Sequence, residues 1–145
     1  MLGVLFSILA GAAMSVQGVM NTRLGQGIGT LEANALVQGT AFALSLAALP
    51  LSRQGSFAAL SGVNKLYWFG GVLGIVITVA VMLGIKALGP ATAVSVILIA
   101  QLLVAAVIDA LGLMGSEKTA FDAPKYIGLA LMIAGVLVFK WQRPA

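Results

Sequence analysis

Seven polar side chains interrupt otherwise apolar runs of this chain: Gln17, Asn21, Glu32, Asn34, Gln38, Gln101 and Asp109. Five are carboxamides, each able to donate and accept hydrogen bonds. Two are carboxylates, able to hold a cation or a proton. The chain has no cysteine and no histidine, which removes disulfides, thiol nucleophiles and imidazole metal sites. No Ser-His-Asp or Cys-His arrangement can be built, and neither a metal site nor a cofactor site is expected. The chemistry on offer is recognition by hydrogen bonds, with Asp109 and Glu32 as the acids available for ion coupling. Enzymatic activity is not expected.

These polar groups sit in a chain of 145 residues that is 61% hydrophobic and 8% charged, with mean hydropathy +1.10. No soluble domain of this length has that composition. The uncharged stretches are 1–22, 33–52, 66–85, 87–108 and 126–139. The first four match the roughly 20 residues a helix needs to cross a hydrocarbon core of about 30 Å. The fifth is shorter, but Lys125 and Lys140 flank it and can reach the interface along their stems. The reading is all-α: a polytopic membrane protein in one transmembrane domain, with five helices at about 2–22, 31–50, 66–86, 90–112 and 124–142. The first run has no basic segment before it and is expected to be a retained helix, not a signal peptide.

Local signals support these elements. Glu32 falls in the first turn of helix 2, where the helix dipole favours an anion. The run 25–30, GQGIGT, reads as a flexible turn; no strand precedes it, so it is not a nucleotide-binding loop. Tyr67 and Trp68 read as an interfacial aromatic belt, with Trp68 also placed to meet a positively charged substrate by cation–π contact. Gly89-Pro90 makes a tight turn, so helices 3 and 4 are expected to form an antiparallel hairpin. Gly3 and Gly11 on helix 1, Gly70 and Gly74 on helix 3, and Gly128 and Gly135 on helix 5 form small faces suited to helix packing.

Basic residues set membrane orientation by their excess on the cytoplasmic side. With five spans, Arg53, Lys65, Lys118 and Lys125 lie on one side, and Arg23, Lys86, Lys140 and Arg143 on the other. Four against four gives no preference, so both orientations should insert and an antiparallel homodimer is expected. The basic residues form no cluster, which argues against nucleic acid as a partner; the bilayer, a small-molecule substrate and a second copy, or a closely similar chain, are the expected partners. At about 1.5 Å per residue, Gln101 falls near the midplane, while Gln17, Asn21, Asn34 and Gln38 lie towards one side and Asp109 towards the other. Antiparallel pairing would bring Asp109 of one copy level with Asn21 and Asn34 of the other, around a pair of Gln101 side chains. The expected substrate contacts are Gln17, Asn21, Asn34, Gln38, Trp68, Gln101 and Asp109. The alternative role for the carboxamides is interhelical glue, worth about 0.6 kcal/mol each.

Several of these features occur together in a known pattern. Gln17 and Asn21, Tyr67-Trp68-Phe69-Gly70-Gly71 with Gly74, Leu88-Gly89-Pro90, Gln101 with Asp109 and Gly112, and Gly128 with Gly135 resemble the YdcZ-type family of the drug/metabolite transporter superfamily. The resemblance covers nearly the whole chain. It implies a small protein of the bacterial inner membrane with about five helices, acting as an exporter; the expected function is export of a small metabolite or drug-like compound by alternating access. The family is more distantly similar to the small multidrug resistance transporters, which work as antiparallel dimers. Those carry a central glutamate on helix 1; here Gln17 and Asn21 occupy that helix, so their cationic substrate class does not carry over. A scaffold or accessory subunit without transport of its own is the other class the sequence allows.

Overall fold

In a computed structural model, residues 1–51, 55–119 and 122–141 are described, Lys140 by its backbone alone. Arg53 and Arg143, two of the eight basic residues, lie outside them. The described residues are helical, without strands. The chain divides into two compact units, Met1–Ala87 and Leu88–Ala145.

The first unit opens with α1 (Leu2–Ile28), turns at Gly29, and returns as α2 (Thr30–Ala48), which packs along α1. A 3₁₀ turn (Leu49–Leu51) and a second (Phe57–Gly62) lead to a third (Lys65–Phe69) and then to α3 (Gly70–Leu88), whose last residue already belongs to the second unit. In the second unit α4 (Pro90–Leu111) packs on α5 (Ala123–Lys140). Helices α3 and α4, expected as one hairpin, thus belong almost wholly to different units. Four segments, Leu2–Ile28, Thr30–Leu51, Lys65–Leu88 and Pro90–Leu111, have the length and composition to cross a membrane; Ala123–Phe139 is apolar but shorter.

Two boundaries depart from the sequence expectation for local reasons. Helix α1 runs six residues past Thr22, so GQGIGT is helical as far as Ile28. Gly25 supplies the reason: a Cβ there would stand 3.4 Å from Met82 Sδ, 3.5 Å from Thr30 Cα and 3.8 Å from Ala33 Cβ. The close approach to α2 and α3 outweighs the low helix propensity of glycine. At the other boundary, the aromatic run 67–69 is a 3₁₀ turn, capped by Asn64, whose side-chain oxygen accepts from the Leu66 amide at 3.0 Å. The segment from Lys65 still counts as part of the third span.

The hairpin turn depends on Gly29, whose φ of 104° is strained for any L side chain. A Cβ there would also collide with the Glu32 carboxylate, which lies over this backbone. Gly27, two residues earlier, is helical and has open space around it. Gly29→Ala should therefore destabilise the protein by about 1–3 kcal/mol, whereas Gly27→Ala should be neutral or stabilising by up to about 1 kcal/mol. Thermal melts of the two variants in detergent, followed by circular dichroism, check this; equal melts would contradict it.

Candidate functional site

Very little of this chain is enclosed by its own atoms. Among the described residues the buried apolar ones are Ala33, Met82, Ile85 and Ala93, and the buried polar ones are Asn21, Thr22 and Asn34. In a chain so apolar, burying amides while leaving leucines open inverts the usual pattern. The buried amides lie in the α1–α2 hairpin. Counting from Gly29 at about 1.5 Å per residue, Asn34 lies about 7 Å from the turn, Asn21 about 12 Å and Gln38 about 13 Å.

Three features build this region. Gly18 lets α3 come in: a Cβ there would meet Ile85 Cδ1 at 2.8 Å and Val81 Cγ1 at 3.1 Å. Thr22 satisfies its hydroxyl locally, donating to the Gly18 carbonyl at 2.7 Å, so it spends no hydrogen bond on a neighbour. Gly74 on α3 accommodates Gln38, whose Nε2 stands 3.2 Å from where a Cβ would be. Asn34 is 6% accessible and Asn21 7%. The Asn34 Oδ1 is fully buried and accepts no hydrogen bond. Such an acceptor costs about 1–3 kcal/mol when nothing donates to it.

The other expected contacts are distributed differently. Gln17 is accessible on α1, and Trp68 is half exposed at the 3₁₀ entry to α3. Glu32 lies against the Gly29 backbone at the start of α2. In the second unit Gln101 is exposed at the centre of α4. Asp109 is two residues from the end of that helix and lines a cavity between α4 and α5. The loop after α4 folds back on it: the Thr119 amide donates to the Asp109 carbonyl at 2.9 Å, and the Gly112 amide caps the Ile108 carbonyl. Gly3, Gly11, Gly70, Gly128 and Gly135 have open space at their Cβ positions, so the chain itself does not use them for close packing.

The structure thus gathers Asn21, Asn34 and Gln38 on one hairpin, and leaves Gln101 and Asp109 in the other unit. Gly18, Gly25, Ala33, Met82 and Ile85 were not singled out from the sequence. The signal was present as the seven-residue spacing of Gly11, Gly18 and Gly25, with Ser15 and Thr22 between them.

The family model described as "Putative inner membrane exporter, YdcZ" matches residues 2–138. The chain belongs to this family and is a multi-pass protein of the inner membrane, in a family of transporters and not of enzymes. No curated protein and no solved structure matches it.

The orphaned oxygen separates glue from binding. If Asn34 has no donor within the folded chain, Asn34→Leu removes an unsatisfied acceptor and should keep or raise stability, by up to about 1 kcal/mol. Scanning calorimetry of the purified variant checks this. A melting point several degrees lower would show that the oxygen is bonded within the fold.

Proposed function

We propose that the protein exports a small polar or amphipathic compound by alternating access, as a dual-topology antiparallel homodimer. The observation that carries the substrate site is the Asn34 Oδ1, buried without a donor in an apolar hairpin that also buries Asn21. A transported molecule with an N–H or O–H group can supply that donor. Asn21 and Gln38, on the same hairpin, offer further amide groups to it. Helix α1 brings no acid to this cluster, because its uncharged stretch runs from Met1 to Thr22. Recognition by the three amides therefore rests on hydrogen bonds, with Glu32 at the start of α2 as the acid of this hairpin available for ion coupling.

Gln101 supports a second copy. It sits at the middle of a 22-residue helix, and the chain leaves it exposed. A bare carboxamide in the centre of the hydrocarbon is costly, and a matching carboxamide on another copy satisfies both. Open glycine positions on α1 and α3 leave room for contacts beyond the chain.

Dual topology depends on α5 crossing. Its 18 residues reach about 27 Å, close to a core of about 30 Å. If it crosses, the basic residues divide four against four; if it does not, Lys140 and Arg143 join the other side and the count becomes six against two. C-terminal reporters active on either side of the membrane test this. Comparable signals from both are expected. A signal from one side alone would overturn the dual-topology homodimer and favour a pair with an oppositely oriented relative. For the site, thermal shifts against a panel of small metabolites should find compounds that stabilise the protein but not Asn34→Leu. The variant should lose about tenfold in affinity, the equivalent of one hydrogen bond of about 1.4 kcal/mol. Equal affinity would remove Asn34 from the site.

A further inference from the structure

The second unit holds a feature that substrate recognition does not use. Between α4 and α5 lies a cavity of about 500 Å³, lined by Ala105, Asp109, Thr119, Lys125, Gly128 and Met132 among others. A second cavity of about 170 Å³ follows along the same helix pair, lined in part by Ser95, Leu98, Met132, Gly135 and Phe139. Met132 borders both, so the two adjoin as a cleft along the face of α5 that carries Gly128 and Gly135. The two glycines keep it open, since their Cβ positions meet nothing. From Lys125 to Phe139 the cleft runs about 21 Å, more than the half-thickness of a hydrocarbon core of about 30 Å.

Its ends differ. The polar groups, Asp109, Thr119 and Lys125, gather where α4 ends and α5 begins. The rest is apolar. An anion, a hydroxyl and a cation at interface depth, above an apolar slot, complement an amphiphile whose head carries both an ammonium and a phosphate. Lys125 already pairs with Asp122 at 3.9 Å, but that pair is exposed and worth little. An ammonium has three N–H donors, enough for a phosphate as well.

We propose that this cleft binds a phosphoethanolamine-headed membrane lipid. Its ammonium donates to the Asp109 carboxylate and its phosphate accepts from Lys125 and from the Thr119 hydroxyl, which turns to it from a long 3.4 Å bond to the Glu117 carbonyl. One acyl chain lies along Gly128, Met132 and Gly135. A helix of a second copy does not fit there: α4 and α5 already approach with α-carbons within 8 Å, and a helix with side chains is about 10–12 Å across. An acyl chain is narrow enough. On this assignment Asp109 anchors lipid and does not contact substrate.

Native mass spectrometry of the detergent-purified protein tests this, with phosphatidylethanolamine, phosphatidylcholine and phosphatidylglycerol of identical chains added in turn. Phosphatidylcholine lacks the N–H donors and phosphatidylglycerol lacks the ammonium. The ethanolamine lipid should be retained about fivefold better than either, the scale of one charge-assisted hydrogen bond. Asp109→Asn should bring that preference to about twofold or less, because a neutral amide gives up the charge assistance. Gly128→Leu should fill the slot and lower retention of all three lipids. Equal retention by the unmodified protein would overturn the assignment, as would a preference that survives Asp109→Asn. Asp109→Asn lies at an exposed position and keeps the side chain's shape, so the test stands even if Gly128→Leu fails to fold.

Discussion

Within a bilayer, a polar group that finds no partner in the protein finds none at all, and this constraint organises the chain. Water is absent from the hydrocarbon core, so each carboxamide in a span must meet a backbone, a side chain, a ligand or another copy. Thr22 meets the constraint alone by bonding to its own helix. So do Ser7, Ser15, Ser45, Thr78 and Ser95, each donating to the carbonyl four residues earlier. Asn34 and Gln101 do not. One is buried with its oxygen unbonded and the other is exposed at mid-span. The first asks for a ligand and the second for a second copy. The proposed two-chain transporter would supply both.

Small residues do opposite work in different places. At Gly18 and Gly25 they let helices close, to the point that a methyl group would touch Ile85 or Met82. At Gly128 and Gly135 they hold a cleft open. The sequence spacing is seven in both pairs, and only the neighbouring helix decides which role results. Around α1 the neighbours α2 and α3 offer Ala33 and the ends of long side chains, which fill the gap. In α5 the neighbour is α4, and room for an acyl chain remains.

The membrane-spanning character and the order of the helices were legible in the sequence, because uncharged runs and hydrocarbon thickness share one length scale. The α1–α2 hairpin with its amides on one side was legible too. The end of α1 was not. Gly25 and Gly27 read as a turn, yet packing against Thr30, Ala33 and Met82 holds Gly25 in the helix. Asn21 and Asn34 stood out by type, but a lone Asn in an apolar run has the same appearance whether bonded or orphaned. Only the coordinates around Asn34 separate the two. The heptad of Gly11, Gly18 and Gly25 was readable, but the eye follows the four-residue stripe of Gly3, Ser7, Gly11 and Ser15, whose glycines face open space. The α4–α5 cleft was not legible, because Thr119 is brought to it by a backbone bond from its amide to the Asp109 carbonyl that no sequence pattern announces.

The central claim is that two copies meet across the membrane midplane at Gln101. The chain contains no cysteine, so a single Gln101→Cys variant reports on that contact without background. Mild oxidation in native membranes should convert most of it to a disulfide-linked dimer, while Leu103→Cys, on the opposite side of α4, stays monomeric. If position 101 cross-links no better than position 103, the copies do not meet there, and the proposed antiparallel homodimer loses its foundation.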